Sequence, residues 1–119
     1  MGEKDVSAWV ALYRKAWESN LPDDIRAVFT EDAVYRGRPY GHEWVGHPAI
    51  VAGWLDAQDA PGTTSFEWHP VAVDGEVAVV QCVTVYPEDQ GGTFDNLWVI
   101  RLADDGRARE YTEWYIARE

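Results

Sequence analysis

With 119 residues and 46% hydrophobic content, the chain is long enough for one domain that buries about two-thirds of its unfolded-chain surface. Its formal net charge of −11 argues against nucleic acid as a partner, because binding a phosphate backbone depends on Lys and Arg displacing counterions. No apolar run approaches the roughly 20 residues of a membrane-spanning helix, and the start Met1-Gly2-Glu3-Lys4-Asp5 lacks the basic-then-apolar form of a signal peptide, so a soluble, cytoplasmic protein is expected.

From Val6 to Trp17 the apolar residues recur at helical spacing and place Trp9, Tyr13 and Trp17 along one stripe, which predicts a first helix. Pro22-Asp23-Asp24 suits the first turn of a second, with Ile25, Val28 and Phe29 as its buried face and an end near Thr30. Ala33 to Gly37 reads as a strand. Arg38-Pro39-Tyr40-Gly41 then opens a loop through His42, Glu43 and Trp44. A third helix starts at Gly46-His47-Pro48, buries Ile50, Val51, Trp54 and Leu55, and is stopped by Asp59-Ala60-Pro61-Gly62.

Beyond it, the turn signals Asp74-Gly75, Glu88-Asp89-Gln90-Gly91-Gly92 and Asp105-Gly106 divide residues 64–117 into four strands. Helices first and strands last argue an α+β fold with helices on one face of a twisted sheet. Cys82 is the only cysteine, which leaves no intrachain disulfide and no cysteine-based metal framework; its valine-rich setting reads as a small buried residue.

The order of elements, together with Ala27-Val28-Phe29-Thr30-Glu31-Asp32-Ala33-Val34-Tyr35, Gly46-His47-Pro48-Ala49-Ile50, the Asp74-Gly75 hairpin and Asp105-Gly106-Arg107 leading to Thr112-Glu113-Trp114, resembles the SnoaL-like branch of the nuclear transport factor 2-like superfamily. The resemblance covers nearly the whole chain. It implies a single domain over residues 1–119, cone-shaped, with three N-terminal helices packed on a curved, mostly antiparallel sheet that encloses a pocket. It also implies a homodimer. The superfamily includes ketosteroid isomerases, polyketide cyclases, dehydratases and epoxide hydrolases, so membership does not select a reaction. Tyr13 falls where the isomerases place an oxyanion-binding tyrosine. Gly37 stands at the position of their base, and Trp98 at that of their second donor.

The last strand carries the main candidate. Tyr111, Glu113 and Tyr115 alternate with Thr112, Trp114 and Ile116, so a carboxylate shares one face with two tyrosines. The family's curvature puts that face on the concave side with Asn96, Trp98 and Ile100, and with Gln81 beside them. An acid in such a wall suits proton transfer, since burial raises its pKa toward neutrality. The competing reading is structural, with Glu113 hydrogen-bonded to Tyr13 or Gln81.

The expected site therefore has Glu113 and Tyr13 as catalytic groups, with Trp17, Tyr35, His42, Trp54, Gln81, Asn96, Trp98, Tyr111 and Tyr115 around a small apolar organic molecule. His47 reads as a helix-start residue, His69 as facing outward and Asp32 as a turn residue. The histidines lack ligand spacing, and neither metal nor cofactor is expected. Trp114 should lie on the convex face, where a second subunit would cover it. Three readings stay open: a cofactor-independent isomerase, cyclase or dehydratase, a non-catalytic small-ligand binder, and a dimeric interaction module.

Overall fold

The computed structural model describes residues 2–37, 43–56 and 65–118. Helix α1 runs Glu3–Ser19. The Asp5 carboxylate accepts the Gly2 N–H at 2.8 Å at its start, and Asn20, in the left-handed region at φ 53°, ends it by donating its N–H to the Ala16 carbonyl. Helix α2, Pro22–Val28, has proline in its first turn with Asp23 and Asp24, and buries Ile25 and Val28.

Strand β1 (Phe29–Arg36) begins directly at the end of α2, earlier than the Ala33 start expected from sequence. The chain turns extended at Phe29, which sends that ring into the core instead of continuing the helix. The next segment also departs from expectation: Glu43–Val45, read as loop, forms a short strand β2 antiparallel to β1, pairing Trp44 with Tyr35. Their rings stack at 4.6 Å and 16°, a cross-strand aromatic pair that supports so short a strand. Helix α3 is Gly46–Asp56 and buries Ile50 and Trp54. The Asp59-Ala60-Pro61-Gly62 stop signal lies outside the described residues.

Four strands follow as expected: β3 (Ser65–Asp74), β4 (Val77–Val85), β5 (Thr93–Leu102) and β6 (Ala108–Ala117), with one turn of 3-10 helix, Glu88–Gln90, between β4 and β5. The sheet order is β2-β1-β6-β5-β4-β3, antiparallel except for the parallel β1–β6 pair. Register shifts in the β1–β6, β3–β4 and β5–β6 pairs mark irregularities of the kind that bend a sheet.

The helices cover one face of this sheet, and the core between them is aromatic. Trp9 lies at its centre, 1% exposed, against Tyr13, Phe29, Trp98 and Tyr111, with its indole N–H donated to the Val28 carbonyl at 3.0 Å. Among the described residues no helix is long and apolar enough to cross a membrane.

Candidate functional site

Strand alternation decides what faces the helices. On β5 the inward residues are Asn96, Trp98, Ile100 and Leu102, and on β6 Tyr111 is fully buried with Glu113 two residues on. Trp98 lies directly across from Glu113, and Asn96 across from Tyr115. That register delivers two N–H donors to one carboxylate oxygen: Trp98 Nε1 donates to Glu113 Oε2 at 2.8 Å and Asn96 Nδ2 donates to it at 3.2 Å. The Asn96 side-chain oxygen in turn accepts from Thr84 Oγ1 at 3.0 Å, which fixes the amide's orientation.

The carboxylate borders a cavity of about 340 Å³. Of the residues expected from sequence, Tyr13, Trp17, Tyr35 and Trp54 line it from the helices and β1, and Asn96, Trp98, Glu113 and Tyr115 line it from the sheet. Trp54 is held by donating its indole N–H to Asn20 Oδ1 at 3.1 Å, tying α3 to the end of α1. Tyr111 belongs to the core behind the wall, stacked on Tyr35 at 4.7 Å. His42 lies outside the described residues.

Gln81 does not face the cavity as its sequence position suggests. On β4 the buried residues are Ala78, Val80, Cys82 and Thr84, and Gln81 is exposed on the opposite face. Glu113 consequently takes its hydrogen bonds from Trp98 and Asn96, and Thr84 holds the polar place expected for Gln81. The outward face of β4 carries four valines, Val77, Val79, Val83 and Val85, beside Gln81, whereas the inward face has only Val80 with Ala78, Cys82 and Thr84, so the more apolar face is the wrong guide to which is inward. Trp44, from the segment after β1 toward which the space left by Gly37 points in the sequence, also lines the cavity, and so do Phe66, Thr84, Tyr86 and Phe94, which sequence reasoning does not place there. Parity with Cys82 could have found Thr84. The other three depend on how distant segments meet.

His47 Nε2 donates to the Phe29 carbonyl, 2.8 Å away, as a structural link at the start of α3. His69 is exposed on β3, and Asp32 is exposed with its carboxylate accepting from Thr30 Oγ1. Among the described residues no group of three or more His, Cys, Asp or Glu could hold a metal ion.

Burial raises the Glu113 pKa above its ordinary value, and the Trp98 and Asn96 donors oppose the shift without cancelling it. Burial first, and then nearby charge that includes Glu113, also raises Tyr13, Tyr35 and Tyr111, so these hydroxyls keep their protons and remain donors. Cys82 is raised by burial and by Glu113, which leaves it an inert thiol. Among the described residues the buried Tyr111 hydroxyl meets no partner at full hydrogen-bonding geometry, yet it lies near enough to Glu113 to oppose that group's shift and to be raised by its charge. No lysine, arginine or histidine lines the cavity among the described residues. The Arg14 guanidinium lies 4.3 Å from the centroid of the Phe66 ring and donates to the Phe66 carbonyl.

One wall depends on a missing side chain. A Cβ on Gly53 of α3 would lie 2.3 Å from Trp44 Cε2, well inside contact distance. Gly53→Ala should therefore push the indole off Tyr35. Overpacking costs about 1–3 kcal/mol, and alanine's better helix propensity returns about 1 kcal/mol. A net loss on the order of 1 kcal/mol in urea melts is expected, with a changed near-UV tryptophan signal. A more stable variant with an unchanged signal would contradict this packing.

A family model described as SnoaL-like domain matches residues 4–111. No curated protein matches the chain. Among solved structures, an NTF-2 like protein of unknown function from Burkholderia xenovorans superposes with a TM-score of 0.75 at 14% identity, covering 98% of this chain and 87% of that one. The epoxide hydrolase/cyclase-like enzyme SalBIII, described as acting in pyran ring formation in salinomycin, gives 0.74 at 18% identity, with 96% and 92% covered. A steroid delta-isomerase from Pseudomonas aeruginosa gives 0.65 at 18% identity, with 94% and 80% covered. At these identities the likeness is one of fold.

Proposed function

The chain belongs to the SnoaL-like domain family, and from that premise we propose that it is a small-molecule pocket protein that performs cofactor-independent acid-base chemistry on a small, largely apolar organic substrate. The observation that supports this most is Glu113: a carboxyl group in the wall of a cavity, oriented by two N–H donors and shifted by burial toward the range where it exchanges protons near neutral pH.

In this reading the ionised Glu113 removes a proton from carbon next to a carbonyl. The C–H electron pair moves into an enolate whose oxygen takes a hydrogen bond from Tyr13, and the protonated Glu113 returns the proton to another carbon as the carbonyl re-forms, or to a β-hydroxyl that leaves as water as the carbonyl re-forms with a new C=C bond beside it. Trp17, Tyr35, Trp54 and Trp98 shape the slot, Asn96 orients the acid, and Tyr115 sits among the lining residues from β6. Tyr111 supports it from behind.

The cavity weighs against the filled-core interaction module, which needs no void of about 300 Å³ or more. A non-catalytic binder is the second reading, favoured by one fact: Glu113 is the only carboxylate or imidazole among the described lining residues. A thermal-shift and native mass spectrometry screen of hydrophobic ketones, lactones and steroids, followed by turnover assays on the hits, separates the two. Binding with turnover is expected. Binding without turnover would favour the binder, and the absence of any stabilising compound would count against both.

We also propose a homodimer through the outer sheet face. Leu97 and Trp114 are cross-strand neighbours there, 36% and 41% exposed, beside Ile116 at 72%. Such a patch is costly to leave in water. Light scattering at micromolar concentration should give a dimer, and Trp114→Glu with Ile116→Lys should give a folded monomer. A monomeric wild type would end the proposal.

A further inference from the structure

The composition of the cavity wall discriminates between kinds of ligand. Ten of the thirteen described lining residues are aromatic, and the other three are Thr84, Asn96 and Glu113. The acid is thus set among ring faces, held by two neutral donors, with no cationic side chain among the described lining residues. A buried carboxylate ordinarily has a counter-charge. Here none of the described lining residues supplies one.

Ring faces are the negative part of an aromatic quadrupole, and cations seated among several of them are stabilised most where water is excluded. An anionic ligand would meet the opposite: repelling ring faces, an acid, and no basic partner among the described lining residues. The long-range field points the same way, since 21 acidic against 10 basic residues favour the approach of cations. A neutral ligand would bury apolar surface but use neither the acid's charge nor the quadrupoles.

We infer that the cavity takes an organic cation, a quaternary or protonated amine carried on an apolar body, with Glu113 as its counter-charge and the surrounding rings as its cage. This names the ligand class of the same pocket and rests on the reading of that cavity as a ligand site. The amine would hold Glu113 ionised, the form that accepts a proton.

The test compares benzyltrimethylammonium with its uncharged carbon isostere, neopentylbenzene, by quenching of tryptophan fluorescence in a common co-solvent. The cation should bind at least about tenfold more tightly, the scale of a desolvated cation–π contact. In Glu113→Gln, whose fold is checked by circular dichroism, the preference should fall by at least about threefold, because the counter-charge is removed while the ring cage is kept and retains its own share. An undiminished preference would overturn Glu113 as the counter-charge. Equal or tighter binding of neopentylbenzene by the wild type would overturn the cation inference and leave the pocket reading standing. Failure of both compounds to bind would overturn the pocket reading and the inference with it.

Discussion

Glu113→Gln should lower turnover of an identified substrate by about 10²–10⁴-fold while leaving the protein folded, because the amide cannot accept the proton but can still accept the hydrogen bonds of Trp98 Nε1 and Asn96 Nδ2. Unchanged turnover would remove Glu113 from the chemistry. If Glu113 is the base, the wild-type kcat/KM rises with pH as the group ionises, through a value above the ordinary 4.5 of a glutamate. Glu113→Ala is a different experiment, since it strands two inward-facing donors at about 1–3 kcal/mol each.

The same substitution carries a stability signature. Burial raises the folded-state pKa, so the native protein holds this proton more tightly than the unfolded chain does. The stability it contributes is fully present below the unfolded value, near 4.5, and is lost as pH rises through the folded value. Wild type should therefore lose stability across that window relative to Glu113→Gln, with the difference between the two melting curves as the readout. Asp95 and Asp105, held low by Arg118 and Arg107 on the surface, act in the opposite sense at lower pH and are common to both proteins. A constant difference across the window would show that Glu113 is not strained by burial.

Trp9→Ala should be the most damaging change to the fold. The indole is fully buried, meets four other rings and donates to the Val28 carbonyl where α2 passes into β1. Truncation of a core tryptophan costs about 3–5 kcal/mol, which for a chain of this length lowers Tm by on the order of 10–20 °C. Trp9→Phe keeps much of the packing and loses the N–H, and should cost less. A change in Tm below about 5 °C for the alanine variant would mean that the aromatic cluster relaxes into the space, contrary to tight core packing.

Two of the sequence errors lie where local pattern is weakest. The glutamine at position 81 suggested a polar group inside, whereas the structure puts Thr84 there and Gln81 in solvent. The segment around Trp44 has breaker residues before it and three residues in the strand itself, too few for periodicity to register. Its extended form comes from pairing with Tyr35, a contact the sequence does not announce. In contrast, the stripe of Trp9, Tyr13 and Trp17 was plain, because three-residue and four-residue spacings repeat over a helix long enough to count them.

By itself the sequence determined the type and order of the long elements, the family, and the sharing of one strand face by Tyr111, Glu113 and Tyr115. Each of these follows from short-range periodicity, turn chemistry or motif, which are properties of neighbouring residues. Tertiary structure alone decided which face of β4 is inward, that Trp98 and Asn96 rather than Tyr13 or Gln81 hold the carboxylate, and that Trp44 and Phe66 complete the cavity. Those depend on strand register and on contacts between distant segments, and a one-residue slip in register would have sent every side chain of a strand to the other face.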